Sequence, residues 1–153
     1  MKKFELTADT KMFLGRKLFR IKALISFGNV KVGDMGGYIE KEENLSQSGN
    51  AWVSGNAWVS GNAWVYGNAE VYGNAWVSGN ADYATASGFG SEYRTTTFFK
   101  LKNSDEIGVR CGCFYGTLKE FKEKVKETHG ETKKAKEHLM LADLMEYRFS
   151  EEK

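Results

Sequence analysis

The sequence predicts a mainly β protein whose centre is a parallel β-helix built from six-residue cassettes. Three observations lead to this prediction. Five consecutive cassettes at residues 51–80 follow one rule, Ala-X-Val-(Ser/Tyr)-Gly-Asn. Degraded copies of the cassette precede and follow them, at residues 45–50 and from Ala81 onwards. The chain also has 17 glycines and no proline, which indicates many regular turns of one kind.

Each cassette is expected to form a short strand followed by a corner. In the stretch Ala-X-Val-Ser the side chains alternate between two faces, so Ala and Val point inward while X and Ser or Tyr point outward. The Gly-Asn pair tolerates positive φ and lets the chain turn at little steric cost. Three corners close a triangular coil, so residues eighteen apart in these cassettes are expected to be neighbours on one face.

The outward positions of the cassettes are rich in aromatic residues. The candidate binding residues among them are Trp52, Trp58, Trp64, Tyr66, Tyr72 and Trp76. Trp58 and Trp76 are expected to stand in one column and are the strongest candidates. Exposed aromatic patches mark a subunit interface or a ligand surface, but such rings also pack under flanking segments. The sequence leaves these three interpretations open.

The inward positions carry a resemblance to a known family. They are occupied by Val53, Val59, Val65, Val71 and Val77 and by Ala57, Ala63, Ala69, Ala75 and Ala81. This pattern resembles the hexapeptide-repeat family of left-handed β-helices, over residues 39–86. The stretch Gly-Gly-Tyr-Ile-Glu at residues 36–40 is similar to the segment that leads into the repeat of small solenoid proteins from phages and prophages. The resemblance implies a left-handed parallel β-helix.

The flanking segments predict an N-terminal hairpin and a C-terminal ββαα module. The expected parts are a β-hairpin and cap at residues 1–38, the left-handed β-helix at residues 39–92 and an oligomerisation module at residues 93–153. In this module, two strands precede a helix that begins at the capping-box pair Thr117 and Glu120 and ends at Gly130.

A second helix is predicted at residues 133–149, with apolar residues on more than one face. A two-helix unit cannot bury so wide an arc against one neighbour, so we expect a subunit contact there. The residues expected at this contact are Leu139, Met140, Leu141, Leu144, Met145, Tyr147 and Phe149. The expected assembly is a homo-oligomer, either a dimer or a trimer.

The sequence gives no catalytic constellation. The best-known hexapeptide-repeat proteins are acyltransferases that use acyl-coenzyme A and a histidine base, whereas His129 and His138 both fall in the helical module. The related carbonic anhydrases need three histidines on zinc. Cys111 and Cys113 are two residues apart in a predicted strand, which disfavours a mutual disulfide. We therefore expect no catalytic residue, no metal and no cofactor.

Charge is distributed unevenly along the chain. Residues 1–33 carry eight bases and two acids, residues 34–93 one base and seven acids, and residues 94–153 thirteen bases and eleven acids. The acidic middle argues against wrapping DNA, which needs a basic stripe. No apolar run reaches the roughly 18 residues that span a membrane, and the start lacks the apolar core of a signal peptide. We expect a protein of the bacterial cytoplasm.

Together these features favour a non-catalytic, oligomeric binding protein of phage or mobile-element type. Its expected task is to inhibit host defence, either by sequestering a small nucleotide signal or by blocking a host defence protein. Aromatic rings would stack on a nucleotide while Arg20 or Arg94 contacts its phosphates. Two alternatives stay open: a hexapeptide-repeat acyltransferase that uses acyl-coenzyme A, and a structural or polymer-forming solenoid without a ligand.

Overall fold

The structure, a computed structural model, describes residues 2–89, 94–102, 105–111 and 114–150. Within these ranges the strands are β1 (Phe4–Phe13), β2 (Arg16–Ala23), β3 (Met35–Ile39), β4 (Trp52–Val53), β5 (Trp58–Val59), β6 (Glu70–Val71), β7 (Trp76–Val77), β8 (Tyr83–Phe89), β9 (Arg94–Lys100), β10 (Ile107–Cys111) and β11 (Phe114–Thr117). The helices are α1 (Leu118–His129) and α2 (Lys133–Phe149), with short 3₁₀ turns at Glu42–Asn44 and Asn80–Asp82.

The largest sheet is mixed and contains five strands in the order β1-β2-β3-β5-β7. Strands β1 and β2 form an antiparallel hairpin, as the sequence predicted, and its turn holds Leu14 and Gly15 at positive φ. Strand β3 pairs antiparallel with β2 and parallel with β5, which in turn is parallel to β7. The N-terminal hairpin and two of the cassettes therefore share one sheet.

The cassettes form two-residue strands separated by glycine corners. Their corner glycines, at φ between +62° and +72°, are Gly49, Gly55, Gly61, Gly67 and Gly73. Parallel pairing joins Trp52 to Glu70 and Trp58 to Trp76, so residues eighteen apart are neighbours in both pairs. The cassette alanines and valines described as core residues are at most 2% exposed. The prediction that these small residues point inward is confirmed for them, whereas Ala81, also predicted to point inward, is exposed in the 3₁₀ turn at Asn80–Asp82.

The predicted left-handed parallel β-helix is wrong as a fold class. Besides the mixed sheet, the described strands form a four-stranded antiparallel sheet and a two-stranded parallel pair, β4 with β6. This is a mixed and antiparallel arrangement rather than a regular solenoid, so the resemblance to hexapeptide-repeat β-helices and small phage solenoids does not hold at the level of the fold. Four of the five cassettes supply a strand of two residues and the one at residues 63–68 only a bridge at Val65, whereas flanking strands of up to 10 residues pair antiparallel and determine the sheets.

The antiparallel sheet, in the order β11-β10-β9-β8, separates two hydrophobic cores. Phe99 of β9 packs with the cassette valines in the first core. The preceding Phe98 packs with the helices in the second core. Successive side chains of a strand point to opposite faces, so this sheet contributes one face to each core. An antiparallel bridge between Ala75 and Leu101 connects the sheet to the cassettes.

Both C-terminal helices form where the sequence predicted them. Thr117 and Glu120 make the complete capping box of α1, and the helix ends at Gly130, which has φ +59°. The Thr132 side chain caps α2 by accepting a hydrogen bond from the Ala135 backbone. None of the described helices combines the length and hydropathy that a membrane-spanning segment requires.

Candidate functional site

A row of cationic and aromatic side chains crosses the outer face of the five-stranded sheet. In register, Arg20 of β2 is the partner of Tyr38, Tyr38 of Trp58, and Trp58 of Trp76. The next residues on β3, β5 and β7 are fully buried core residues, so Tyr38 and the two tryptophans point away from that core. The structure thus brings together three of the predicted site residues.

The tip of the β1–β2 hairpin covers the two tryptophans of this row. The Phe13 ring lies 4.5 Å from the Trp58 ring and 5.2 Å from the Trp76 ring, measured between centroids. An ion pair fixes the hairpin end, because Arg16 donates to Glu40 at 2.8 Å and Glu40 also accepts from the Gly61 backbone at 2.8 Å. Of the three interpretations that the sequence left open, packing under a flanking segment therefore fits Trp58 and Trp76.

Two lysines lie above adjacent rings of the row. The ammonium group of Lys102 is 3.5 Å from the Trp58 ring centroid and donates to the Asn56 carbonyl, and that of Lys11 is 5.0 Å from the Tyr38 ring centroid. Burial, and secondarily the charge of Lys11, lowers the pKa of Lys102 to about 8. Within the described ranges, no carboxylate forms an ion pair with either lysine.

Of the two arginines predicted to contact a phosphate, the structure describes the side chain of Arg20 alone. Arg20 is already engaged: its guanidinium is 3.1 Å from the Asp9 carboxylate and donates to the Tyr38 hydroxyl at 2.8 and 3.2 Å. Its charge is therefore matched within the hairpin, and it is a poor candidate for a phosphate contact. Arg94 begins β9, but its side chain lies outside what the structure describes.

Trp52 and Tyr72 pack within the fold. Trp52 is 6% exposed and makes an edge contact with the Phe27 ring at 5.3 Å, so it belongs to the first core. Tyr72 is partly buried, with the Tyr115 ring 4.8 Å away and the Arg110 guanidinium 4.4 Å above it. Neither residue presents an open ring face of the kind that the sequence analysis expected.

Trp64 and Tyr66 form an exposed, stacked ring pair. They are 48% and 53% exposed, and their centroids lie 4.5 Å apart at an interplanar angle of 23°. The Asn80 side chain accepts from the Trp64 backbone N–H at 2.9 Å, and the Tyr83 hydroxyl donates to the Trp64 carbonyl. Burial raises the pKa of Tyr83 to about 12, so this hydroxyl keeps its proton. These hydrogen bonds fix the backbone of Trp64, which carries one ring of the pair.

Helix α2 divides the predicted subunit contact into a buried and an exposed set. Met145 is 5% exposed, and Leu139 and Phe149 pack against the second core. Leu141 is partly buried. The exposed members are Met140, Leu144 and Tyr147, at 69%, 57% and 72% exposure. Their spacing of four and three residues places them on one helix face.

The described histidine and cysteine side chains, those of His138 and Cys111, each contact a neighbour within the fold. His138 is buried against Phe121, and its Nδ1 lies 2.8 Å from the Lys134 carbonyl. Cys111 accepts a hydrogen bond from Thr96 at 3.2 Å, while Cys113 and the side chain of His129 lie outside the described part. Among the residues that the structure describes, no group of three or more His, Cys, Asp or Glu residues could hold a metal ion. No protein family matches this sequence, and no curated protein matches it either.

Sequence reasoning missed Lys11, Phe13, Tyr38 and Lys102. Their positions depend on how the hairpin and the strand after the cassettes fold over the cassette surface, which is a long-range contact. One local signal was present: Phe13 lies two residues before the hairpin turn predicted at Gly15 and Arg16. That signal indicates an apolar ring at a hairpin end, but not the surface that the ring covers.

Proposed function

We propose that this protein is a non-catalytic binding protein whose ligand docks on the Trp64–Tyr66 ring pair. The observation that carries the proposal is exposure: of the six aromatic residues predicted as binding residues, these two alone are about half exposed, while Trp52 is buried and the other three are partly buried. Exposed Trp and Tyr side chains supply a large contact area at low conformational cost.

The geometry of the pair favours a planar aromatic ligand. The two rings already stack on each other, and a third flat ring extends such a stack without rearrangement. A hydrogen bond that Asn80 accepts and one that Tyr83 donates fix the Trp64 backbone, so binding orders little that is mobile. A nucleobase is the ligand chemistry that suits this platform best, in line with the predicted capture of a small nucleotide signal.

Nucleoside titration tests the proposal. Tryptophan fluorescence should be quenched as adenosine or guanosine is added, and Trp64→Ala with Tyr66→Ala should weaken binding about tenfold or more, since stacking on one ring contributes ~1–3 kcal/mol. Trp64→Phe keeps a ring and should retain most of the affinity. Leu14→Ala is the matched control, since Leu14 is an exposed apolar residue on the hairpin. Fluorescence that no nucleoside changes at millimolar concentration would contradict the proposal.

We also propose self-association through α2. Its support is the exposed apolar stripe of Met140, Leu144 and Tyr147. Glu137 lies one turn before this stripe, and Arg148 lies at its other end, next to Tyr147. In an antiparallel pair of α2 helices, Glu137 of each copy would approach Arg148 of the other. Two other functions stay predictions: blocking of a host defence protein, and chemistry on acyl-coenzyme A. Turnover of acyl-coenzyme A that depends on His138 would test the second.

A further inference from the structure

Two lysines that lie over the aromatic rings of the row have no carboxylate partner among the described residues. Two neighbouring cations, Arg16 and Arg20, are each matched by a carboxylate, Glu40 and Asp9 respectively. Lys11 and Lys102 have no such partner within the described ranges. The positive charges of these two ammonium groups are therefore not balanced by a carboxylate.

These two ammonium groups are held near each other by the sheet. Lys11 lies over the Tyr38 ring and Lys102 over the Trp58 ring, and these rings belong to paired residues on adjacent parallel strands. Neighbouring strands are separated by about 4.8 Å. Lys102 is further fixed by its hydrogen bond to the Asn56 carbonyl. Besides burial, the charge of Lys11 lowers the pKa of Lys102, so the two like charges repel each other, and an anion between them removes the repulsion.

We propose that Lys11 and Lys102 form a binding site for a small oxyanion such as phosphate, held between their ammonium groups by charge-assisted hydrogen bonds. A base has no place to stack here, because Phe13 and Lys102 already cover the Trp58 ring. The site is independent of the Trp64–Tyr66 pair and recognises the anionic group alone. Free phosphate and the phosphate of a nucleotide present the same chemistry to it.

Calorimetry with inorganic phosphate at low salt tests this site. The unaltered protein should bind phosphate, and Lys11→Met and Lys102→Met should each weaken binding about tenfold, the effect expected for loss of one charge-assisted hydrogen bond. Lys17→Met is the matched control, because Lys17 lies on the same hairpin over the ring of Phe19. If Lys102→Met fails to fold, Lys11→Met decides alone, since Lys11 makes only the contact with Tyr38 among the described interactions.

The pH dependence of anion binding provides a second readout. Sulfate, whose charge does not change in this range, should bind more weakly as the pH rises through about 8, where Lys102 loses its proton. The charged groups that surround the site are Lys11, the Arg20–Asp9 pair and the Arg16–Glu40 pair. The pKa of Glu40 is lowered, chiefly by the backbone hydrogen bond from Gly61, so its carboxylate stays charged.

The outcomes separate this site from the proposed function. Phosphate binding that survives Trp64→Ala with Tyr66→Ala supports an independent site, and nucleoside binding that survives Lys11→Met does the same for the ring pair. Equal affinity for phosphate and for a nucleoside monophosphate identifies the free anion as the ligand, and tighter binding of the nucleotide identifies the phosphorylated nucleoside. No phosphate binding at millimolar concentration, or an equal loss with Lys17→Met, would overturn the proposal.

Discussion

Trp58 stands beside Trp76 on parallel neighbouring strands, although eighteen residues separate them in the chain. Both indoles contact the same ring, that of Phe13 at the end of the first strand. One side chain of the hairpin thus covers two cassettes. The hairpin is held over the cassettes by this contact and by the ion pair between Arg16 and Glu40.

Replacement of Phe13 by alanine should uncover both indoles. We expect a red shift of the tryptophan emission, because the rings enter water, and a loss of about 1–3 kcal/mol of stability, less than for a fully buried phenylalanine. Leu14→Ala is the control at the adjacent position, where the side chain is 77% exposed. An unchanged emission spectrum in Phe13→Ala would show that the hairpin does not cover the tryptophans in solution.

The local part of this fold could be predicted from the sequence. Alternation alone identified Val53, Val59 and the other cassette valines as inward residues, and Gly-Asn pairs identified the corners. The capping box at Thr117 and Glu120 fixed the start of α1. Each of these features depends on neighbours within about six residues, where the sequence pattern and the physical cause coincide.

The remainder depends on contacts between distant segments. The repeat predicts parallel pairing of cassettes, but nothing local shows that β5 joins an antiparallel hairpin, or that β8 leaves the cassettes to begin an antiparallel sheet. For the same reason the sequence could not distinguish Trp58, which Phe13 covers, from Trp64, which is open. The two residues occupy equivalent positions in their cassettes, and only the flanking segments make them different.

The close approach of β3 to the cassettes should make Gly37 intolerant of a side chain. A Cβ at Gly37 would lie 2.8 Å from the Ala57 carbonyl oxygen and 2.9 Å from Cγ1 of Val53, both in the packed core. We expect Gly37→Ala to cost about 2–3 kcal/mol. Gly79→Ala, where nothing lies within 4 Å of the added atom, should change stability by less than ~0.5 kcal/mol. Urea denaturation of both variants measures the difference, and similar midpoints would contradict the packing described.

Charge placed on the exposed stripe of α2 should prevent self-association. Leu144→Glu puts a carboxylate at the centre of the stripe formed by Met140, Leu144 and Tyr147, and a buried unpaired charge disfavours an apolar interface strongly. Sedimentation equilibrium should give a lower mass for this variant than for the unaltered protein. Leu14→Glu, at a still more exposed position on the hairpin, should keep the oligomer. A protein that is monomeric at all concentrations before substitution would remove the α2 contact altogether.

The N-terminal segment is anchored by a buried lysine. Lys3 is 1% exposed, and its ammonium group donates to the Ala51 carbonyl at 2.7 Å and to the Ser48 and Gly49 carbonyls at 3.4 Å. The Phe27 ring lies 4.8 Å from the same group. Burial lowers the pKa of Lys3 from 10.5 to about 8. Folding therefore disfavours the charged form of this lysine.

This shift should make the protein more stable as the pH rises from about 8 towards 10.5. In that window the unfolded chain still binds the Lys3 proton while the folded chain has lost it, so unfolding takes up a proton and becomes less favourable with increasing pH, by about 1 kcal/mol per pH unit near pH 9. Lys102, whose pKa is also lowered to about 8, contributes a similar slope. Lys3→Met should therefore remove about half of the lysine-dependent slope in urea unfolding followed across this range. Identical slopes in the two proteins would mean that Lys3 is solvated rather than buried.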